Sequence, residues 1–336
     1  MVLKMSDIAR MANVSKTAVS LTINGKEGVS EETRQKILNI ITEQGYKPLR
    51  KNHKGNEKSI GEITFLVVTT SGIVSDNYKS LPFFNSLISA LSATVSELNG
   101  SLRMVTIQSQ DLATKLESMV NKAENGILVL GTDLTKHQVL LIKKHLSNVV
   151  FLDTCFENVS ADFVTMDNYQ GAWLAGEYIL KKGYRKIGYF ASEKLMSNFK
   201  ERRRGFRDAL AEADVQVNQE QLYYIAPTGL DPQNMDIGRF MQSPPEAVFC
   251  EDDYIAIRLI KAAQQHGLKI PEDCAVMGFD DIYEGMLVSP ELTTIHVPVE
   301  QMASQALHQL LSQIQMVSWN PQKSLITTTL IKRQSL

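Results

Sequence analysis

Three carboxylates close short apolar runs: Asp153 follows Val149 to Leu152, Asp252 follows Val248 to Cys250, and Asp280 follows Val276 to Gly278. An ionised carboxylate accepts hydroxyl hydrogen bonds on both oxygens, and an arginine fork such as Arg202 supplies donors in return. Together these groups suit a small polyhydroxylated molecule. Each has a plainer reading as well, because an Asp at a strand end caps the next helix and the run Glu201-Arg202-Arg203-Arg204 reads as a solvated helix face. Catalytic chemistry finds no pattern. The histidines His53, His137, His145, His266, His296 and His308 have no His-Glu-x-x-His spacing, and neither a Gly-x-Ser-x-Gly elbow nor a Gly-x-x-x-x-Gly-Lys loop occurs, so no enzyme is expected. Asp252-Asp253 and Asp280-Asp281 read as caps or hydrogen-bond anchors rather than metal ligands. No metal and no cofactor is expected. Cys155, Cys250 and Cys274 form an odd set without Cys-x-x-Cys spacing, which disfavours a disulfide framework or a zinc site and leaves them as small apolar residues.

The elements that must hold these groups fall into two unlike parts. The chain has 336 residues, 43% apolar and 21% charged, an ordinary globular composition. No apolar run of about 18 residues occurs, so no membrane span is expected. Met1 to Asn13 carries Lys4, Asp7 and Arg10 and lacks the apolar stretch of a secretory signal, so a cytoplasmic location is expected. The net charge of −2 divides into +5 over the first sixty residues and −7 over the rest. Lys47 to Ser59 holds Lys47, Arg50, Lys51, Lys54 and Lys58 against Glu57 and reads as a basic linker, either a solvated tether or a set of cations lying along phosphates.

Three short helices are predicted in the head. Ser6 caps a segment with Ile8, Ala9 and Ala12 at helical spacing; Ser15 caps a second with Ala18, Val19 and Ile23, ending at Asn24-Gly25. Ser30 caps a third, with Glu31 and Glu32 favouring its dipole, Ile37, Ile40 and Ile41 on one face and Gly45 as its stop. The short turn at Met11 to Asn13 gives a helix-turn-helix, whose second helix presents its first residues to the major groove. From Ile60 onward strand and helix patterns alternate. Strands are predicted at 63–69, 102–107, 126–130, 149–153, 186–190, 221–225, 247–250, 274–277 and 325–331, and helices at 82–98, 171–180 and 199–212. A stripe of Val299, Met302, Ala303, Ala306, Leu307, Leu310, Leu311 and Ile314 marks another helix. Such alternation argues for parallel sheets covered by helices.

The motifs Met5-Ser6-Asp7-Ile8-Ala9, Ala12-Asn13-Val14-Ser15, Thr17-Ala18-Val19-Ser20, Asn24-Gly25, Val29-Ser30-x-x-Thr33-Arg34 and Gly45-Tyr46-x-Pro48 resemble the head of the LacI/GalR family of bacterial transcription regulators. The body resembles that family's effector domain through Asp167 with Gly171-Ala172-Trp173-Leu174-Ala175, Gly183-Tyr184-Arg185-Lys186-Ile187, Arg202-x-x-Gly205-Phe206, Pro271-Glu272-Asp273, Gly278-Phe279-Asp280-Asp281 and Pro290-x-Leu292-Thr293-Thr294-Ile295. The resemblance implies an N-terminal all-α helix-turn-helix head plus an α/β periplasmic-binding-protein-like effector domain of two lobes. The implied boundaries are a head at 1–46, a basic hinge or linker at 47–60, and a body at 61–336. Its first lobe is about 61–164 and 294–320, and its second about 165–293 and 321–336.

The resemblance also implies residue roles. Lys16, Thr17 and Leu21 would face base edges, while Ser15, Ser20, Asn24, Ser30 and Thr33 approach phosphates; Ser15 and Ser30 serve equally as helix caps without DNA. Arg50 and Lys51 of the linker join the DNA-binding set. Asp153, Arg202, Asp252 and Asp280 fall at the family's effector-contact positions, and Phe83 and Phe84 look like a hydrophobic wall against a sugar ring.

Three positions depart from the family's pattern. Leu21 stands where the family often has Arg, and Asp252 where it commonly has Asn, exchanging a donor and acceptor for a pure acceptor. Gly55 falls about where a Leu wedge belongs. The implied function is a repressor of carbohydrate genes, with double-stranded operator DNA, a small sugar or sugar-phosphate effector and a second copy in a homodimer as partners. A protein corepressor docking on the body is the alternative. A transporter's solute-binding protein is disfavoured by the basic head.

Overall fold

The structure, a computed structural model, describes residues 5–23, 28–44, 59–119, 126–228 and 237–336. The expected stops at Asn24-Gly25 and Gly45, and the linker with Leu49, Arg50, Lys51 and Gly55, lie outside the described residues. The chain divides into two units, Met1–Glu57 and Lys58–Leu336.

The first unit contains α1 (Met5–Ala12), α2 (Lys16–Ile23) and α3 (Glu31–Glu43). Ser6 lies inside α1 rather than ahead of it, a correction to the expected cap. Asn13 ends α1 in the left-handed region at φ 55, with its N–H on the Arg10 carbonyl at 3.2 Å and the Val14 N–H on the Ala9 carbonyl at 3.0 Å. That paired closure is a Schellman stop, for which Asn tolerates the positive φ. Ser15 Oγ then accepts the Ala18 N–H at 3.1 Å, and Ser30 Oγ accepts the Thr33 N–H at 3.3 Å, so both serines do cap. Ile8, Ala9, Ala12, Val19 and Ile37 are buried together, with Ile23, Ile40 and Ile41 packed half-buried around them.

The second unit runs β1 (Glu62–Thr69), α4 (Pro82–Glu97), β2 (Ser101–Gln108), α5 (Leu112–Met119), β3 (Ile127–Leu130), α6 (Lys136–His145), β4 (Val149–Leu152) and β5 (Asp162–Met166). It crosses to α7 (Asn168–Lys181), β6 (Ile187–Ser192), α8 (Ser197–Ala211), β7 (Leu222–Ile225), α9 (Gly238–Gln242), β8 (Ala247–Cys250), α10 (Asp253–Gln265) and β9 (Ala275–Met277). It then returns through β10 (Thr294–His296) to α11 (Val299–Gln315) and β11 (Lys323–Ile326), and ends with β12 (Thr329–Ile331). One parallel sheet has the order β11-β5-β4-β3-β1-β2 and the other β7-β6-β8-β9; β10 pairs antiparallel with β12. These are two α/β lobes. Phe65, Val67, Leu128, Val150 and Val164 on one sheet and Tyr189, Phe249 and Val276 on the other are buried under helices.

The body departs from expectation where strands are short. β5 and β10 are strands beyond those expected, and the single strand expected at 325–331 is two, broken where Thr328 donates from N and Oγ1 to Gln170 Oε1 at 3.0 and 2.8 Å. Because β11 pairs with β5, the first lobe extends to Ile326, past the expected limit of about 320. Cys250 and Cys274 are buried; Cys155 is only half-buried. Among the described residues no helix is long and apolar enough to cross a membrane.

Candidate functional site

The carboxyl ends of both sheets face one cleft, the position at which open α/β sheets bind ligands. Asp153 follows β4, Asp252 follows β8 and Asp280 follows β9, while Phe83 and Phe84 open α4 and Arg202 projects from α8. All six line a single cavity with a volume of about 40 Å³. That is room for a few waters, well below the roughly 300 Å³ at which ligand pockets begin. A ligand must therefore part the lobes or displace side chains.

Arg202 is the centre of the arrangement and is only 3% exposed, so the solvated-face reading fails for it. The cause is a close approach of α7 and α8, where a Cβ on Gly205 would sit 2.1 Å from the Tyr169 carbonyl oxygen. Arg202 donates from Nε to Asn168 Oδ1 at 2.8 Å, from Nη1 to the Glu251 carbonyl at 2.6 Å and from Nη2 to Asp280 Oδ1 at 3.0 Å. Its guanidinium carbon lies 3.7 Å from the Phe279 ring centroid. Arg203 on the next position pairs with the buried Glu251, and Arg204 with Glu201 on the surface, so the run splits three ways.

Asp153 accepts from Thr132 Oγ1 at 2.5 Å and from Asn198 Nδ2 at 2.8 Å. Burial nonetheless pushes its carboxyl up to about 7. Burial likewise pushes Asp280 up to about 6, with Arg202 pulling the other way. Asp252 is raised well above the carboxylate range by burial and by Asp280. Its Oδ1 accepts the Ile255 N–H at 2.7 Å, so Asp252 caps α10 and lines the cavity at once. Asp153 and Asp280 sit at φ 59 and 120, strained positions of the kind that gather at functional sites.

The second carboxylate of each pair turns elsewhere. Asp253 accepts Thr294 Oγ1 at 2.6 Å and the Ile282 N–H at 2.9 Å, while Asp281 bonds His296 Nδ1 at 2.9 Å and Arg333 Nη2 at 2.6 Å. Both are anchors of the crossing segments. The bond to Asp281 raises the pKa of His296. Sequence reasoning also missed Thr132, Asn168, Asn198 and Tyr254; of these only Asn168 stands beside a quoted motif residue, Asp167.

In the head, Lys16 and Thr17 are exposed and Ser20 and Leu21 half-exposed along one face of α2, opposite the buried Val19 and Thr22. Ser15 and Ser30 are exposed and Thr33 is half-buried. A Cβ on Gly28, at φ +113, would meet Leu21 Cδ1 at 3.3 Å, so Leu21 lies against that turn. Asn24, Arg50 and Lys51 lie outside the described residues.

Comparison with known proteins agrees with both parts. Residues 4–49 match the bacterial regulatory proteins of the lacI family, and residues 177–336 match the periplasmic binding protein-like domain. The chain is 31% identical over 317 residues to the HTH-type transcriptional repressor PurR of Mannheimia succiniciproducens, covering 92% of this chain and 91% of that one. It is 29% identical to the ribose operon repressor of Haemophilus influenzae, covering 99% and 98%. Among solved structures, a transcriptional regulator CelR–cellobiose complex superposes with a TM-score of 0.70 at 23% identity, covering 99% of each chain. The Lac repressor dimer bound to operator and the anti-inducer ONPF superposes at 0.70 with 20% identity, covering 100% of this chain and 99% of that one. With a helix-turn-helix head, a two-lobed body and these relatives, the chain belongs to the LacI family of bacterial transcription regulators.

Proposed function

We propose that this regulator is a repressor that binds a pseudo-palindromic operator as a homodimer and changes its operator affinity when a small sugar-like effector occupies the cleft. The working units are the head at 1–46, the linker at 47–60 and the body at 61–336. In the head, Lys16, Thr17 and Leu21 read base edges while Ser15, Ser20, Ser30 and Thr33 contact phosphates, with Asn24, Arg50 and Lys51 adding to the grip. The observation that carries the effector reading is the convergence of Phe83, Phe84, Asp153, Arg202, Asp252 and Asp280 on one cavity between lobes. The aromatic pair, 5.5 Å apart and edge-on, offers an apolar wall, and the carboxylates and guanidinium offer hydrogen bonds. Relatives named as a ribose operon repressor and a regulator complexed with cellobiose support a carbohydrate.

The experiment is a selection of operator DNA from a random pool, followed by titration of sugars into the complex. An effector should shift operator affinity about 5- to 150-fold, the range of ordinary allosteric coupling. A cleft that binds no sugar, with operator affinity responding only to a protein partner, would replace the small effector with a corepressor. Light scattering should give a dimer at micromolar concentration.

A further inference from the structure

The cleft carries an imbalance of charge. Among the described residues lining it there are three carboxylates, Asp153, Asp252 and Asp280, and one guanidinium, Arg202. Arg202 meets only Asp280; its Nε and Nη1 bonds go to Asn168 and to the Glu251 carbonyl. The donors on Asp153, Thr132 and Asn198, are neutral, so they satisfy its oxygens without offsetting its charge. The neighbouring buried cation, Arg258, donates to the main-chain oxygens of Tyr254 and Ala226. Arg203 is taken by Glu251. Two carboxyls, Asp153 and Asp252, are thus left without an ion-pair partner in a buried site, where an uncompensated ionised form is costly. Burial raises the pKa of all three carboxyls, with Asp280 adding to the rise at Asp153 and Asp252, while Arg202 opposes it at each and Arg258 at Asp252.

Asp252 is the carboxylate best placed to receive a cation. One of its oxygens is committed to the α10 cap, and among the described residues no hydrogen bond reaches the other. We infer that the effector carries a positively charged nitrogen, as an amino sugar or another polyhydroxylated amine does, and that Asp252 receives it. The inference rests on the effector reading above. A phosphorylated sugar would instead add charge of the wrong sign, whereas an ammonium offers three donors to an acceptor-rich cavity.

The test uses the full-length chain with matched probes on two scaffolds: glucose, glucosamine and glucose 6-phosphate, and the corresponding galactose set. Thermal shift and calorimetric titration at neutral pH should rank the amine first on at least one scaffold, about ten-fold or more above the neutral sugar, and the phosphate last. Asp252→Asn preserves the helix cap, since Asn and Asp cap equally well, and near-ultraviolet circular dichroism checks that it folds. It should abolish most of the preference for the amine. A neutral or phosphorylated sugar that binds tightest to the wild type, or an amine preference that survives Asp252→Asn, overturns the inference while leaving the effector reading intact. No binding by any probe also overturns it; if operator affinity further ignores a wider sugar panel, the effector reading falls with it.

Discussion

Asn198, in the first turn of α8, donates through Nδ2 to Asp153 Oδ1 at 2.8 Å and to the Asp153 carbonyl oxygen at 3.1 Å, so the second lobe grips a strand end of the first. Two more bonds cross the same cleft: the Phe83 N–H donates to Tyr254 Oη at 3.1 Å, and the Thr154 and Ser197 hydroxyls meet at 2.9 Å. These contacts keep the cavity small. A ligand that takes Asp153 or enters beside Phe83 competes directly with lobe closure, which links occupancy of the cleft to the separation of the lobes.

Removing the strongest of these latches should loosen closure. Asn198→Ala strips the buried Asp153 of a donor and should cost on the order of 1–3 kcal/mol in urea unfolding. The radius of gyration from solution scattering should rise with it. If stability and scattering both stay at wild-type values, the bond is idle and the lobes are held by something else.

The Arg202–Asp280 pair makes a larger demand on stability than a simple ligand contact would. Asp280→Ala leaves a buried guanidinium without its carboxylate, a change that typically costs about 3–5 kcal/mol. The response of operator binding to effector should vanish as well. Asp280→Asn keeps an acceptor for Nη2 and should be milder in unfolding yet still impaired in response. Wild-type effector response in Asp280→Asn would reduce this carboxylate to an anchor for Arg202.

Asp153 supplies a pH signature. Its carboxyl sits at about 7 in the folded chain against 3.8 for the free group. Between those values the folded state holds the proton and the unfolded state has lost it, so this group makes stability fall as pH rises from about 4 to about 7. Asn cannot titrate. Asp153→Asn should therefore gain stability relative to wild type across that interval, read by denaturant unfolding at pH 5 and pH 8. A constant difference between the two proteins would mean that Asp153 ionises normally.

What was legible in the sequence follows from what has a pattern. Carboxylates at the ends of apolar runs announce themselves because strand ends in a parallel sheet converge, and Asp153, Asp252 and Asp280 did meet. Arg202 was ambiguous because its neighbours are charged, and only the α7–α8 contact at Gly205 decides that it points inward. Thr132, Asn168 and Asn198 stand beside other polar residues, Asp133, Asp167 and Ser197, so nothing in periodicity separates them from surface positions. β5 and β10 stayed hidden although strands as short as β9 were expected, because polar residues interrupt their apolar runs: Asp162 and Thr165 in β5, Thr294 and His296 in β10.

In the head, Gly28 should prove irreplaceable. Its φ of +113 disfavours any side chain, and a Cβ there would press on Leu21 Cδ1 at 3.3 Å. Gly28→Ala should destabilise the head by about 1 kcal/mol or more and shift Leu21 on its half-exposed face of α2. Leu21 itself offers only apolar contact, for instance to a thymine methyl. Leu21→Arg should bring guanine into the preferred half-site with roughly 1–3 kcal/mol of discrimination, measured by selection from random DNA. An unchanged base preference would place Leu21 off the groove.

The linker makes the last prediction, and it rests on composition. A minor-groove wedge needs an apolar side chain to unstack a base step, and Gly55, at about the wedge position, has none. Gly also costs roughly 1 kcal/mol in a helix interior relative to Ala, so by composition a hinge helix is not expected here. Arg50, Lys51 and Lys54 remain able to release counterions from phosphate. Binding by this segment should thus be electrostatic, and replacing each contacting cation by Ala should reduce the salt slope of operator affinity by about 0.9. The operator should bend less than a wedge would bend it, and Leu49→Ala should change affinity little. Circular-permutation gel shifts decide the matter: a sharp central kink, joined to a strong loss of affinity in Leu49→Ala, would make Leu49 the wedge.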